Sequence, residues 1–269
     1  MPLVSVIMSV FNVKKYEYLL NSVNSILNQT YKNFEFIICD DKSTDNTLQV
    51  LKEIAKKDNR IKIISNKQNM GLGASLNHCL KFARGKYIAR MDDDDFSKKE
   101  RLEKEVNFLD KHPEYSFVGT IANVFDKNKI WGTFRLPEKP QKSDFLWNSP
   151  FLNPSMMFRA DALKAVHGFR VTKETRRAED YDLFFRLYAK GYKGYNIQEI
   201  LFNYRIDIEN EKHKKYRPMK DRINEAKVRY GGFKALHLGY RSIPYVIKPI
   251  IIGLIPAPIF YEIRKKQYR

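Results

Sequence analysis

Four short runs rich in Val, Ile, Phe and Tyr recur in the first third of the chain: Val4 to Val10, Phe34 to Cys39, Ile61 to Ser65 and Lys86 to Met91. Runs this short and this continuously apolar suit strands buried on both faces. Stretches with helical periodicity separate them. Leu19, Leu20, Val23, Ile26 and Leu27 line one helical face, Leu48, Leu51, Ile54 and Ala55 a second, and Leu76, Leu80 and Ala83 a third. The order β-α-β-α-β-α-β constrains the fold more than any other feature. It predicts right-handed crossovers and an α/β architecture, with a mostly parallel central sheet flanked by helices. The ligand crevice is then expected at the C-terminal ends of the strands. Ser97 and Glu100 have capping-box spacing, so a further helix carrying Leu102, Val106 and Leu109 is predicted to begin there. Past Pro113 the pattern mixes strand-like runs, Ser116 to Ile121 and Ser155 to Phe158, with a helix from Ala178 to Ala189.

A chain of 269 residues, 43% hydrophobic and 13% aromatic, has ample material for one large domain and an appendage, and is no disordered chain. The 49 Lys and Arg against 31 Asp and Glu leave a formal charge of +18, which favours anionic partners: nucleic acid, anionic lipid or phosphorylated substrates. From Asn203 to Arg269 there are 16 basic and 6 acidic residues, so the excess is concentrated in the last quarter. Cys39 and Cys79 lie in apolar stretches and read as buried free thiols rather than a disulfide. Met1 to Val10 enters a strand directly, with neither a basic segment nor a cleavage site, from which a cytoplasmic location is expected.

Three acidic clusters fall where an α/β fold binds ligands. Asp40-Asp41-Lys42-Ser43-Thr44-Asp45 leaves the second strand; its residues serve equally as helix caps or as carboxylates that accept hydrogen bonds from a base or ribose. Asp92-Asp93-Asp94-Asp95 follows the fourth strand. Unit charges about 4 Å apart repel by about 4 kcal/mol at an effective dielectric near 20, so this run calls for a cation or a protonated member, unless it is a solvated loop. Hard oxygen ligands suit Mg²⁺ or Mn²⁺, with diphosphate oxygens completing the shell. An EF-hand is excluded, because counting from Asp92 puts Ser97 where the loop needs glycine. Glu179-Asp180 opens the later helix; acids there complement the helix dipole, and a carboxylate near the crevice is also what sugar transfer needs as a general base.

In this order and spacing the motifs resemble inverting glycosyltransferases of family 2, which have the GT-A fold. Val4 to Asn12 looks like the opening strand of that family. Gln29-Thr30-Tyr31 followed by Phe34-Glu35 and the Asp40 to Asp45 run is similar to the next signature. Asn69-Met70-Gly71-Leu72-Gly73, Ala83 to Ile88 and Asp92 to Asp95 resemble its metal-site half. The resemblance covers Leu3 to Arg205. It implies a catalytic domain over 1–205, with a nucleotide-sugar half (1–112) and an acceptor half (113–205), and a basic extension over 206–269. By resemblance Phe11 stacks on the donor base and Asp41 hydrogen-bonds it, the base being most commonly uracil. Asp94 is the main ligand of Mg²⁺ or Mn²⁺, Asp92 lies near the ribose or the metal, Asp95 supports the sugar end, and Asp180 is the catalytic base. Lys42 stands where the family usually has a small residue, and Asn153-Pro154-Ser155 where relatives often have His-Pro-Ser.

From Ile243 to Phe260 the chain is strongly apolar but carries Lys248 and four prolines, which disfavours a regular spanning helix. With the terminal Arg264-Lys265-Lys266-Gln267-Tyr268-Arg269 it reads either as a segment lying at an anionic inner leaflet, which would suit a lipid-linked glycan acceptor, or as an arm packed on the catalytic domain. Two other functions compete. A nucleic-acid-binding protein suits the charge, but no such motif is present and the aspartates would repel a polyanion, so nucleic acid is not an expected partner. A nucleotidyltransferase also uses carboxylate-bound metal, but releases pyrophosphate rather than a nucleoside diphosphate.

Overall fold

The computed structural model describes residues 1–126, 129–206, 217–255 and 259. Its first half is the expected alternation: β1 (Val4–Val10), α1 (Tyr16–Leu27), β2 (Phe34–Asp40), α2 (Thr47–Ala55), β3 (Ile61–Ser65), α3 (Leu72–Leu80) and β4 (Tyr87–Arg90). The strands lie parallel in the order β3-β2-β1-β4. Both faces are covered, which is why the strands are apolar runs without alternating polar residues. Val4, Val6, Met8 and Val10 of β1 pack on one side with Leu19, Val23 and Ile26 of α1 and Leu51 of α2. Ile7, Ile37 and Cys39 face the other side with Leu76 and Cys79 of α3. Cys39 and Cys79 are both buried and free.

The second half adds β5 (Phe96–Ser97), α4 (Arg101–Lys111), β6 (Phe117–Asp126), β7 (Lys129–Phe134), β8 (Met157–Arg159), α5 (Ala160–Ala165), α6 (Glu179–Ala189) and β9 (Gly194–Arg205). Here the sheet turns mixed: β8 joins β4 to β6 by antiparallel pairing, β6 and β9 are parallel, and β5 and β7 pair antiparallel with β9 and β6. The capping box read at Ser97 and Glu100 does not form. Ser97 lies in β5, and Gln29, wholly buried, caps α4 from outside instead. Its side-chain oxygen accepts the Leu102 N–H at 3.0 Å, while its amide donates to Ser97 Oγ at 3.2 Å and the Lys98 carbonyl at 2.7 Å. An orphan donor at a helix start needs a partner, and a buried amide from another element serves as well as a local side chain.

Two C-terminal helices complete the described chain, α7 (Met219–Ala235) and α8 (Ile243–Leu254). A short helix forms over the first part of the proline-rich stretch: Pro244 sits in its first turn, where no N–H is needed, and Pro249 is its one internal proline, while Pro256 and Pro258 lie outside the described residues. At twelve residues it is about 18 Å long. No helix among the described residues is long and apolar enough to cross a membrane. The helix packs on α7, with Arg222 Nη1 donating to the Pro249 carbonyl at 3.2 Å. α7 packs in turn on α6, where Phe233 meets Phe185 edge to face. The basic run 264–269 lies outside the described residues.

Candidate active site

The register levels the ends of the parallel strands. Val10 pairs with Asp40 and Ile7 with Arg90, so the residues that follow β1, β2 and β4 share one edge of the sheet. Phe11 leaves β1 44% exposed, an apolar ring in water at that edge. Asn12 follows with φ 45° and ties this loop to the next. Its N–H donates to Ser43 Oγ at 3.1 Å and its Oδ1 accepts the Thr44 N–H at 2.8 Å. Ser43 and Thr44 therefore join two loops rather than cap α2, and of the predicted capping cluster only Asp45 meets the start of the helix, accepting the Thr47 N–H at 2.9 Å.

Asp41 is buried, and its carboxylate accepts three hydrogen bonds: from Asn66 Nδ2 at 2.7 Å, the Met70 N–H at 2.8 Å and the Gly71 N–H at 2.7 Å. A carboxylate offers about four lone-pair sites, so about one remains for a ligand. Asp41 thus holds the 66–71 loop in shape, with Gly71 at φ 84° making the turn into α3. Lys42 has φ 61°, a left-handed backbone that favours glycine, which gives a physical reason for the small residue expected there.

The four consecutive aspartates fan out. Asp92 and Asp93 are half-buried, Asp94 is exposed and Asp95 is buried. Asp92 receives Arg90 Nη2 at 2.7 Å and Nη1 at 3.3 Å, and its carbonyl accepts Ser22 Oγ at 2.6 Å. Asp95 Oδ1 accepts the Arg205 N–H at 2.8 Å, Arg205 Nε holds the Asp94 carbonyl at 2.7 Å, and Asp95 Oδ2 is buried with no partner among the described residues. Burial, then the charges of Asp94 and Asp92, push Asp93 up to about 8 and drive Asp95 well above the usual carboxylate range. The cluster is therefore short of positive charge. No three His, Cys, Asp or Glu side chains among the described residues form a ready metal cage. Mg²⁺ does not need one, because one or two carboxylates with waters and substrate phosphates complete its shell. Asp94 and Asp92, the unpartnered Asp95 oxygen and the raised proton affinity together fit a divalent cation.

Arg90 escaped the sequence reading, although a charged residue inside the apolar run Tyr87-Ile88-Ala89 was its signal. It is buried and ion-paired to Asp92 of the aspartate turn. Burial raises the pKa of Glu179 and of Asp180, and the Arg90 charge opposes that rise in both. Asp180 Oδ1 accepts the Tyr181 N–H at 2.8 Å. The side chain lines a cavity of about 910 Å³, whereas Glu179 faces a smaller one of about 210 Å³ beside Asn69, Met70 and Gly71. The two acids of the pair are thus directed apart: Asp180 toward α7 and α8, Glu179 toward the loop that Asp41 organises. Asn153 is buried against the larger cavity with its Oδ1 unpartnered.

Comparison with known proteins identifies the family. The family model "Glycosyl transferase family 2" matches residues 5–166. A putative glycosyltransferase, EpsE, of Bacillus subtilis is 42% identical over 267 residues, spanning 99% of this chain and 94% of its own. WfaP of Escherichia coli, a UDP-Glc:alpha-D-GlcNAc-diphosphoundecaprenol beta-1,3-glucosyltransferase, is 31% identical over 92% of this chain and 96% of its own. Among solved structures, S. aureus TarS residues 1–349 superposes with a TM-score of 0.69 at 20% identity, over 91% of this chain and 71% of that one. The Pyrobaculum calidifontis mannosyltransferase PcManGT, in complex with GDP-Man and Mn²⁺, gives 0.64 at 16% identity, over 99% and 80%. The fold is therefore GT-A, a curled central sheet flanked by helices. The chain is a glycosyltransferase and belongs to glycosyl transferase family 2.

Proposed function

We propose that the protein transfers a sugar, with inversion, from a nucleoside-diphosphate sugar of the UDP type to a hydroxyl of a lipid-linked glycan in the making of a cell-surface polysaccharide. The observation that carries this reading is the buried Arg90, ion-paired to Asp92 and close enough for its charge to act on Asp180, which lines a cavity of about 910 Å³. Phe11 stacks on the base, and the remaining lone pair of Asp41 receives its N–H. Asp94 and Asp92 hold Mg²⁺ or Mn²⁺, which when bound offsets charge on the diphosphate. Asp95 braces the turn through Arg205. Asp180 takes the proton of the acceptor hydroxyl as its oxygen bonds to the anomeric carbon, and the bond from that carbon to the diphosphate breaks on the opposite face. Burial raises the pKa of Asp180, which makes it a stronger base than a solvated aspartate. Arg90 keeps Asp92 oriented and opposes protonation of Asp180 before substrate binds.

WfaP acts by name on a diphosphoundecaprenol-linked sugar with UDP-Glc, and TarS was solved with UDP-GlcNAc; both support a UDP-sugar, and the first a lipid-linked acceptor. Ile243, Ile247, Ile251 and Leu254 of α8 are exposed along one helical face, which favours a peripheral position at the inner face of the membrane. The test is a screen of nucleotide-sugar hydrolysis with Mg²⁺ or Mn²⁺. Release of a nucleoside diphosphate is expected from one donor; release of pyrophosphate would reassign the protein to nucleotidyl transfer.

A further inference from the structure

The cavity beside Asp180 has an unusual wall. Five cations, Arg177, Arg217, Arg222, Arg229 and Lys248, line it against two carboxylates, Asp180 and Glu225. Glu225 is engaged by two of them, with Arg217 Nη1 at 2.5 Å and Arg229 Nε at 3.0 Å. Among the described residues Lys248 has only neutral partners in its hydrogen bonds and ring contacts: the Trp147 carbonyl, Asn148 Oδ1 at 3.2 Å and the Trp147 ring at 3.7 Å. Burial, then the nearby Arg229 charge, lower its pKa to about 8. A half-buried ammonium facing a second cation is stabilised by an anion, and Glu225, the carboxylate of the wall that partly offsets its charge, is already ion-paired to Arg217 and Arg229.

The same helix continues in apolar residues. Ile251 and Ile252 follow Lys248 at spacings of three and four, so they share its face of α8, and Ile255, in extended backbone just past the helix, lines the same cavity. Ile251 is also 51% exposed, so the apolar track runs from the ammonium to the protein surface. Arg229 lies over the ring of Tyr181, next to Asp180, and both Arg229 and Lys248 donate to the Trp147 carbonyl, so from Asp180 outward the cavity presents a proton acceptor, then positive charge, then an apolar track. A ligand complementary to all three carries a hydroxyl, then a phosphate or diphosphate, then a hydrocarbon chain.

Building on the acceptor reading above, we infer that this cavity is the subsite for the diphosphate of a lipid-borne acceptor, with Lys248 as its principal cation and Ile251, Ile252 and Ile255 seating the start of the chain. α7 and α8 are then part of the acceptor site rather than an appendage. The subsite accounts for a cation-rich cavity on the far side of Asp180 from the aspartate turn, which donor binding does not use.

The test is calorimetric titration of the full chain with farnesyl diphosphate, inorganic pyrophosphate and phosphatidylglycerol vesicles. Farnesyl diphosphate is expected to bind at least about tenfold more tightly than pyrophosphate, because the apolar track adds burial that a bare anion lacks. Lys248→Met should weaken it by about tenfold or more, and Lys248→Arg, which keeps the charge, should restore most of the affinity. Thermal melts of both variants separate a binding defect from a folding one. Equal affinity for pyrophosphate and farnesyl diphosphate, or no loss in a folded Lys248→Met, would overturn the inference; so would Lys248-dependent binding of vesicles without binding of farnesyl diphosphate. Donor hydrolysis by the wild type with no farnesyl diphosphate binding would sink the subsite alone. Binding without hydrolysis of any nucleotide sugar would leave the subsite standing and sink the transfer reading.

Discussion

Asp180 and Asp94 are both carboxylates near one site, yet their surroundings give them different tasks. Asp180 is held by the Tyr181 N–H and has its pKa raised by burial, whereas Asp94 is exposed on the turn. Asp180→Asn keeps the shape and removes the base, so transfer is expected to fall by about 10² to 10⁴-fold while UDP still binds. Steady-state transfer rates and calorimetry with UDP measure the two separately, and an unchanged rate would refute the assignment. Asp94→Ala is expected to abolish the Mn²⁺-dependent part of UDP affinity and leave the metal-independent part. Titrations with and without Mn²⁺ check this, and equal metal dependence in both proteins would move the ligand role elsewhere.

At the scale of elements, the contact that seats the C-terminal helices is narrow. Gly232 of α7 lies against the Phe185 ring of α6, and a Cβ built there would stand 2.3 Å from two ring carbons. An aromatic ring packed on Phe233 cannot swing away, so the helices must separate. Gly232→Ala raises intrinsic helix propensity by about 1 kcal/mol, but overpacking costs about 1–3 kcal/mol, and net destabilisation is expected. Urea denaturation measures it; a gain in stability would mean that α7 is not held against α6 as described. Because Asp180 and the cavity lie at this seam, acceptor turnover should fall more than donor hydrolysis in the same variant.

The pH dependence of stability belongs to the whole molecule. Arg101 and Glu105 are wholly buried beneath the site, with Arg101 Nη1 holding the carbonyls of Arg90 and Pro154 at 3.2 Å. Burial pushes Glu105 up to about 8 from an ordinary value of 4.5. Across that window the folded state binds more protons than the unfolded one, so this group's stabilisation is full below pH 4.5 and is lost as pH rises through about 8. Glu105→Gln is expected to match the wild type in acid, to exceed it progressively from about pH 4.5 to about 8, and to keep a constant advantage above that. Urea melts at acidic, neutral and alkaline pH test this; a difference that is constant with pH would show that Glu105 is ionised in the folded protein.

Sequence alone determined the α/β alternation, the strand edge that carries Phe11, Asp41 and Asp92 to Asp95, and the helix headed by Glu179 and Asp180. Each is encoded in residues a few positions apart, where periodicity and turn chemistry act directly. Tertiary structure decided what those residues face. Gln29 caps a helix 73 residues away, Arg90 pairs with Asp92 while its charge acts on Asp180, and Lys248 reaches a carbonyl about a hundred positions back. The mixed second half was hard to read for the same reason, since β8 has only three residues and owes its place to partners on both sides. Pairings between distant residues have no local period, so burial and complementary charge reveal them only when the chain is folded.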